Sequence, residues 1–128
     1  MLEVGMKQTL TNEVTVANTA KAFCSGALEV FATPAMISLM EETCWKLVQP
    51  GLEPGCGTVG TGLNVQHVAP TPVGMKVTCE ATLTAVEGRK LTFEVTCSDE
   101  CQVIGMGTHE RFIIDNEKFQ AKANNKAK

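Results

Sequence analysis

The stretch Ala32-Thr33-Pro34-Ala35-Met36-Ile37-Ser38-Leu39-Met40-Glu41-Glu42-Thr43-Cys44-Trp45-Lys46-Leu47-Val48 decides the fold, because it reads as the one long helix in the chain. Thr33 suits the N-cap and Pro34 the first helical position, where a missing N–H is no loss. Gln49-Pro50-Gly51 closes the segment, since this sequence cannot continue a helix. At about 100° per residue, Met36, Ile37, Met40, Cys44, Leu47 and Val48 collect on one face. Thr33 falls near the middle of that face and Glu41 on its shoulder. Glu42 points the other way, one turn before Lys46, as a solvated ion pair does. Glu42 is thereby explained, and Glu41 is not.

On either side of the helix the pattern changes to alternation. Residues 7–16 are rich in Thr and Val and predict a strand. Residues 17–32 form an irregular approach, and residues 51–57 a Gly/Pro-rich loop. In residues 58–69, Val59, Thr61, Leu63, Val65, His67 and Ala69 share one face. Gly60 and Gly62 weaken that strand, which suits a bulge or a close approach by another backbone or a ligand. Residues 75–86, 91–97 and 102–114 alternate in turn, with Glu87-Gly88-Arg89-Lys90 and Ser98-Asp99-Glu100 as the turns between them. One helix against a curved antiparallel sheet is an α+β architecture, occupying residues 1–115. Residues 116–128 are polar and Lys-rich, and a frayed tail is expected there. A sheet of this size leaves edges open, so pairing of two chains is expected.

Composition narrows the function. The chain has 128 residues, enough for one domain with a proper core, and no apolar run approaches the ~20 residues of a membrane span. Its net charge of −3 gives no electrostatic case for nucleic acid or for an anionic membrane. Met1–Lys7 lacks the basic-then-apolar order of a signal peptide, which makes the cytoplasm the expected compartment. Six cysteines invite a disulfide, redox or zinc reading. Cys44, Cys79 and Cys97 fall at apolar positions, however, and Cys97-x₃-Cys101 is the one close pair, so reduced structural cysteines are expected.

The chemistry-bearing candidates are the polar residues at apolar positions: Thr33, Glu41 and His67. Each has an ordinary reading, as a helix cap, a snorkelling shoulder residue and a satisfied strand-end histidine. Together they supply a hydroxyl, a carboxylate and an imidazole, a set suited to acid–base or nucleophilic work. His109, within Gly107-Thr108-His109-Glu110-Arg111, reads equally well as functional or as part of a structural polar cluster. There is no phosphate loop, dinucleotide fingerprint or G-x-S-x-G elbow.

Several segments together resemble the hot dog thioesterases of the fluoroacetyl-CoA thioesterase type. They are Ala32–Ile37 with Glu41 eight residues after Thr33, Val59–His67, Pro70–Gly74 and Gly107–Phe112. The resemblance runs from about residue 12 to 115. It implies a hot dog fold, with a long central helix wrapped by an antiparallel sheet, and a homodimer or a higher assembly built on it. It implies Thr33, Glu41 and His67 as the catalytic set and Gly60 as a residue lining the substrate pocket. It also implies hydrolysis of a small acyl-CoA thioester at the subunit interface, with no metal or other cofactor. The rival expectation is a non-catalytic acyl-CoA-binding or regulatory module on the same scaffold.

In the expected mechanism Glu41 is the nucleophile or the base that activates water, His67 handles protons and Thr33 orients a reacting group or the carboxylate. One geometric difficulty comes with it. Eight helical residues span ~12 Å, too far for Thr33 and Glu41 to reach one small acyl group from a single ideal helix. Either the regular helix begins later than Pro34, or the site combines residues from two subunits.

Overall fold

The computed structural model describes residues 1–128. Helix α1 spans Thr33–Val48 and is regular from its first residue. Its N-cap is Ala32, in extended geometry and with no side-chain cap, so Thr33 and Pro34 are the first two helical residues. This corrects the expectation that Thr33 caps the helix. The chain enters through backbone contacts instead: Phe31 N–H donates to Thr71 O at 2.8 Å and Ala32 N–H to Asn18 O at 3.0 Å. With the entry held in this way, the Thr33 hydroxyl is free for other use.

The buried face of α1 comprises Ala35, Met36, Leu39, Met40, Thr43, Cys44, Leu47 and Val48. It is centred one column away from the expected stripe, and Ile37 is half-buried on its flank, one turn before Glu41. Thr43 is tolerated inside because its hydroxyl donates to Leu39 O at 2.7 Å. The exposed pair is as expected, with Lys46 Nζ donating to Glu42 Oε2 at 2.6 Å.

Five antiparallel strands form one sheet: β1 (Lys7–Glu13), β2 (Cys56–His67), β3 (Lys76–Glu87), β4 (Lys90–Ser98) and β5 (Val103–Asp115), in the order β1-β3-β4-β5-β2. The β3–β4 hairpin turns on Gly88 and Arg89, and Gly88 takes a positive φ of 66° that favours glycine. Helix α1 contacts all five strands, so the sheet wraps it. Between helix and sheet lie Phe93, Leu83, Leu91, Val77, Val95 and Ile104, all buried. Cys44, Cys79 and Cys97 are buried among them. Strand β2 is an edge: β5 pairs with one side of it, and no strand pairs with the other.

After β5 the structure departs from the expected frayed tail. Residues Asn116–Asn125 form a second helix, α2, whose first turn is capped by the Asp115 carboxylate accepting from Lys118 N–H at 3.0 Å. No residue of α2 is buried, so its sequence carries no apolar stripe to announce it. No helix is long and apolar enough to cross a membrane.

Candidate active site

The expected site residues fall into two groups, one at each end of a short path along β2. The first group joins the start of α1 to the end of β2. Thr33 Oγ1 lies 2.8 Å from His67 Nδ1, so the hydroxyl that does not cap the helix is used here. Both residues line a cleft of about 290 Å³ with Ala20, Ser25, Val30 and Phe31. His67 Nε2 is buried and has no hydrogen-bond partner in the chain. Burial holds the His67 imidazole below its ordinary pKa, so it is neutral at pH 7.

The second group forms around Glu41. The register of β2 against β5 shifts between Gly60 and Gly62, the bulge anticipated from the two glycines. A Cβ on Gly60 would lie 2.8 Å from Glu41 Oε2, 3.2 Å from His109 Cε1 and 3.4 Å from Arg111 Nη1. The missing side chain is therefore what lets the bulge approach the carboxylate. Arg111 Nη1 sits 3.6 Å from Glu41 Oε2. The Arg111 side chain is only 7% exposed, against 44% for Glu41, so a buried cation faces a half-exposed carboxylate.

Arg111 is held by three further contacts. Its Nε donates to Thr58 Oγ1 at 2.8 Å, its Nη2 to Thr58 O at 2.9 Å and its Nη1 to His109 Nε2 at 3.1 Å. The tautomer of His109 follows from its partners. Nδ1 lies 2.8 Å from Gly62 O, which can only accept, so Nδ1 carries the proton. The guanidinium can only donate, so Nε2 is the acceptor. Burial, with Arg111 adding to it, lowers the His109 pKa and keeps the ring neutral. Its ring also stacks on Phe93, with centroids 6.2 Å apart.

The structure thus brings Thr33 to His67 and Glu41 to Gly60, and keeps the two pairs apart within one chain. Because α1 is regular from Thr33, a late helix start cannot close the ~12 Å between Thr33 and Glu41. Arg111 and Thr58 belong to the second group and were not singled out from the sequence. A signal for Arg111 exists. His109, Arg111 and Ile113 share one parity on β5, and a charged residue on the inward parity asks for a buried partner.

Residues 14–117 match the family described as fluoroacetyl-CoA-specific thioesterase. The fluoroacetyl-CoA thioesterase of Streptantibioticus cattleyicolor is 50% identical over 98 residues, covering 77% of this chain and 70% of that protein. The chain belongs to this family. It is an acyl-CoA thioester hydrolase with the hot dog fold. A solved structure of the fluoroacetyl-CoA thioesterase FlK superposes with a TM-score of 0.94 at 41% identity, covering 98% of both chains. A thioesterase superfamily member from Thermus thermophilus superposes at 0.90 with 27% identity, covering 98% of this chain and 93% of that one.

Proposed function

We propose that this fluoroacetyl-CoA thioesterase family member hydrolyses a small acyl-CoA at a site completed by two copies of the chain, with Thr33 and His67 from one and Glu41 and Gly60 from the other. The observation that carries this reading is the pair of half-sites on a regular helix, set beside an edge strand with one side unpaired. Gly60 and His67 both lie on β2. Antiparallel pairing of β2 with its own copy, about a twofold near Leu63 and Asn64, lays His67 of one chain opposite Gly60 of the other. The exposed side of α1 supports the same contact, since Trp45 is 38% exposed and Leu63 on β2 is 39% exposed.

At such a site Glu41 attacks the thioester carbonyl or draws the proton from an attacking water. Either route consumes one water and breaks the C–S bond. The leaving thiol has a pKa of about 8.5 and departs with little help. Neutral His67 takes and returns the proton through Nε2, while the Thr33 hydroxyl fixes its ring from Nδ1. Backbone N–H groups at the Gly60 bulge stabilise the oxyanion.

Mixing two inactive variants tests the shared site. His67→Ala and Glu41→Gln each damage one half-site. After subunit exchange about half the dimers are mixed, each with one intact site, so roughly 25% of wild-type turnover of a short acyl-CoA should return. No recovery above the two parents would place the whole site in one chain.

A further inference from the structure

His109 belongs to neither the catalytic set nor the pocket residues expected from the sequence, yet each nitrogen of its ring ends on a wall of the Glu41 half-site. Nδ1–H donates to Gly62 O at 2.8 Å, across the β2 register shift from Gly60. Nε2 accepts from Arg111 Nη1 at 3.1 Å. Between the two nitrogens lies Cε1, which is 3.2 Å from where a Cβ on Gly60 would stand. One edge of the ring therefore underlies the bulge, while its face stacks on Phe93 of β4. The residue is buried, so the ring is packed in this orientation.

A histidine that merely fills the core would also have both nitrogens paired. What such a role does not explain is the gap at Glu41. Arg111 Nη1 stops 3.6 Å from Glu41 Oε2. A guanidinium that grips a carboxylate closes to about 2.7–2.9 Å. The contacts of Arg111 show what holds it back. Nε and Nη2 are fixed by Thr58, and Nη1, the nitrogen that faces Glu41, is fixed by His109. Glu41 thus feels the charge without being tied by it.

We propose that His109 is a positioning residue for thioester hydrolysis: its ring pins the bulge through Gly62 O and, by accepting from Arg111 Nη1, keeps the guanidinium from closing on Glu41. The proposal rests on the reading of Glu41 as the reacting carboxylate and adds the group that keeps it free to react. With the acceptor removed, Nη1 moves the remaining distance and makes a charge-assisted hydrogen bond to Oε2. The carboxylate must then break that bond before it can attack the carbonyl or take a proton from water. Losing the donor at Gly62 O loosens the bulge at the same time, and with it the N–H groups offered to the oxyanion. Both effects fall on the chemical step and leave the distant contacts of the substrate alone.

The test is a mutant cycle read as kcat per folded molecule. His109→Phe keeps a ring against Phe93 and removes both nitrogens. It should lower kcat by about tenfold or more, the order of effect of a small misplacement of reacting groups. KM for acetyl-CoA should stay within about twofold of wild type. In Arg111→Gln, where the guanidinium is already gone, adding His109→Phe should cost less than about twofold more, because the two residues act through one contact. If phenylalanine is not accommodated, His109→Leu enters the same cycle. Wild-type kcat in the single variant, or losses that multiply in the double, overturns the proposal. A second measurement needs no change at His109. The chain has two histidines, so His67→Ala leaves one. Nitrogen NMR of isotope-labelled histidine in that variant should show a ring protonated at Nδ1 with Nε2 bare. A proton on Nε2 would bar it from accepting and overturn the proposal without any assay. Full turnover in Glu41→Gln, with the Nδ1–H ring intact, would instead remove the reacting carboxylate that His109 is said to serve, and the proposal with it.

Discussion

Arg111 donates through Nη1 to His109 Nε2 at 3.1 Å, and the same nitrogen stands 3.6 Å from Glu41 Oε2. One buried cation therefore links a neutral imidazole to a half-exposed carboxylate. The carboxylate is aimed from below, by a group that has no freedom to follow it outward. Arg111→Gln should remove the charge facing Glu41 and leave His109 Nε2 without its donor. An unsatisfied buried group costs about 1–3 kcal/mol, so melting temperature and kcat should both fall. Arg111→Lys should rescue little, because a point charge cannot meet Thr58 and His109 together. Wild-type kcat in Arg111→Lys would show that the fork geometry is irrelevant.

The adjacent glutamates serve as controls for each other. Glutamine preserves size and helix propensity in both positions. Glu41→Gln should lower turnover by at least ~10²-fold, the scale of acid–base catalysis. Glu42→Gln should lose only the exposed pair with Lys46, worth ~0.3–0.5 kcal/mol, and stay active. Equal turnover in the two variants would take Glu41 out of the mechanism.

His67→Ala separates chemistry from packing. Its proposed role is in proton transfer, so kcat should fall more than acyl-CoA binding weakens. Thr33→Val, which keeps the shape and removes the hydroxyl from Nδ1, should give a smaller loss in the same direction. A drop in melting temperature with normal kcat in the surviving folded fraction would make His67 structural.

Gly60→Ala probes the bulge. The added Cβ meets Glu41 Oε2 at 2.8 Å, and Oε2 is the far end of a flexible side chain. The carboxylate should swing aside while the fold survives. Turnover is expected to fall by ~10-fold or more, the order of effect of a small misplacement of a reacting group, with little change in melting temperature. Retained turnover would mean that the carboxylate need not lie against the bulge.

Acid should loosen the protein through its two histidines. Burial holds both His67 and His109 below their ordinary pKa of 6.5, so the unfolded chain binds protons that the folded chain refuses. Their contribution is complete above about pH 6.5 and declines as pH falls toward the lower folded values. Thermal melts between pH 7.5 and pH 5 should show this decline. His109→Gln, which has no proton to gain, should flatten part of it; an unaltered slope would deny His109 a role.

Legibility in the sequence followed periodicity. The helix and all five strands lay within a few residues of their expected places, because alternation and 3.6-residue spacing were bounded by Pro and Gly. Helix α2 was illegible because it buries nothing and so has no stripe; only its Asp115 cap marks it. Thr33 was misread as a cap because the backbone contacts that hold Phe31 and Ala32 come from Thr71 and Asn18, distant in sequence. Glu41 and His67 stood out as polar residues at apolar positions. Arg111 did not, since Glu110 beside it makes the segment look like a solvated charge run until the strand parity is taken seriously.

Three thiols at the centre of the molecule give it a built-in gauge of opening. Cys44 on α1, Cys79 on β3 and Cys97 on β4 are fully buried, while Cys24 and Cys101 lie in the open. Burial pushes the Cys44 thiol well above its ordinary pKa, and a hydrogen bond with Cys79 followed by burial does the same to Cys97, which slows any reagent that needs the thiolate. An alkylating label should therefore mark the surface pair at once. It can reach the inner three only when the helix lifts from the sheet, so their labelling rate clocks that separation in the unmodified protein.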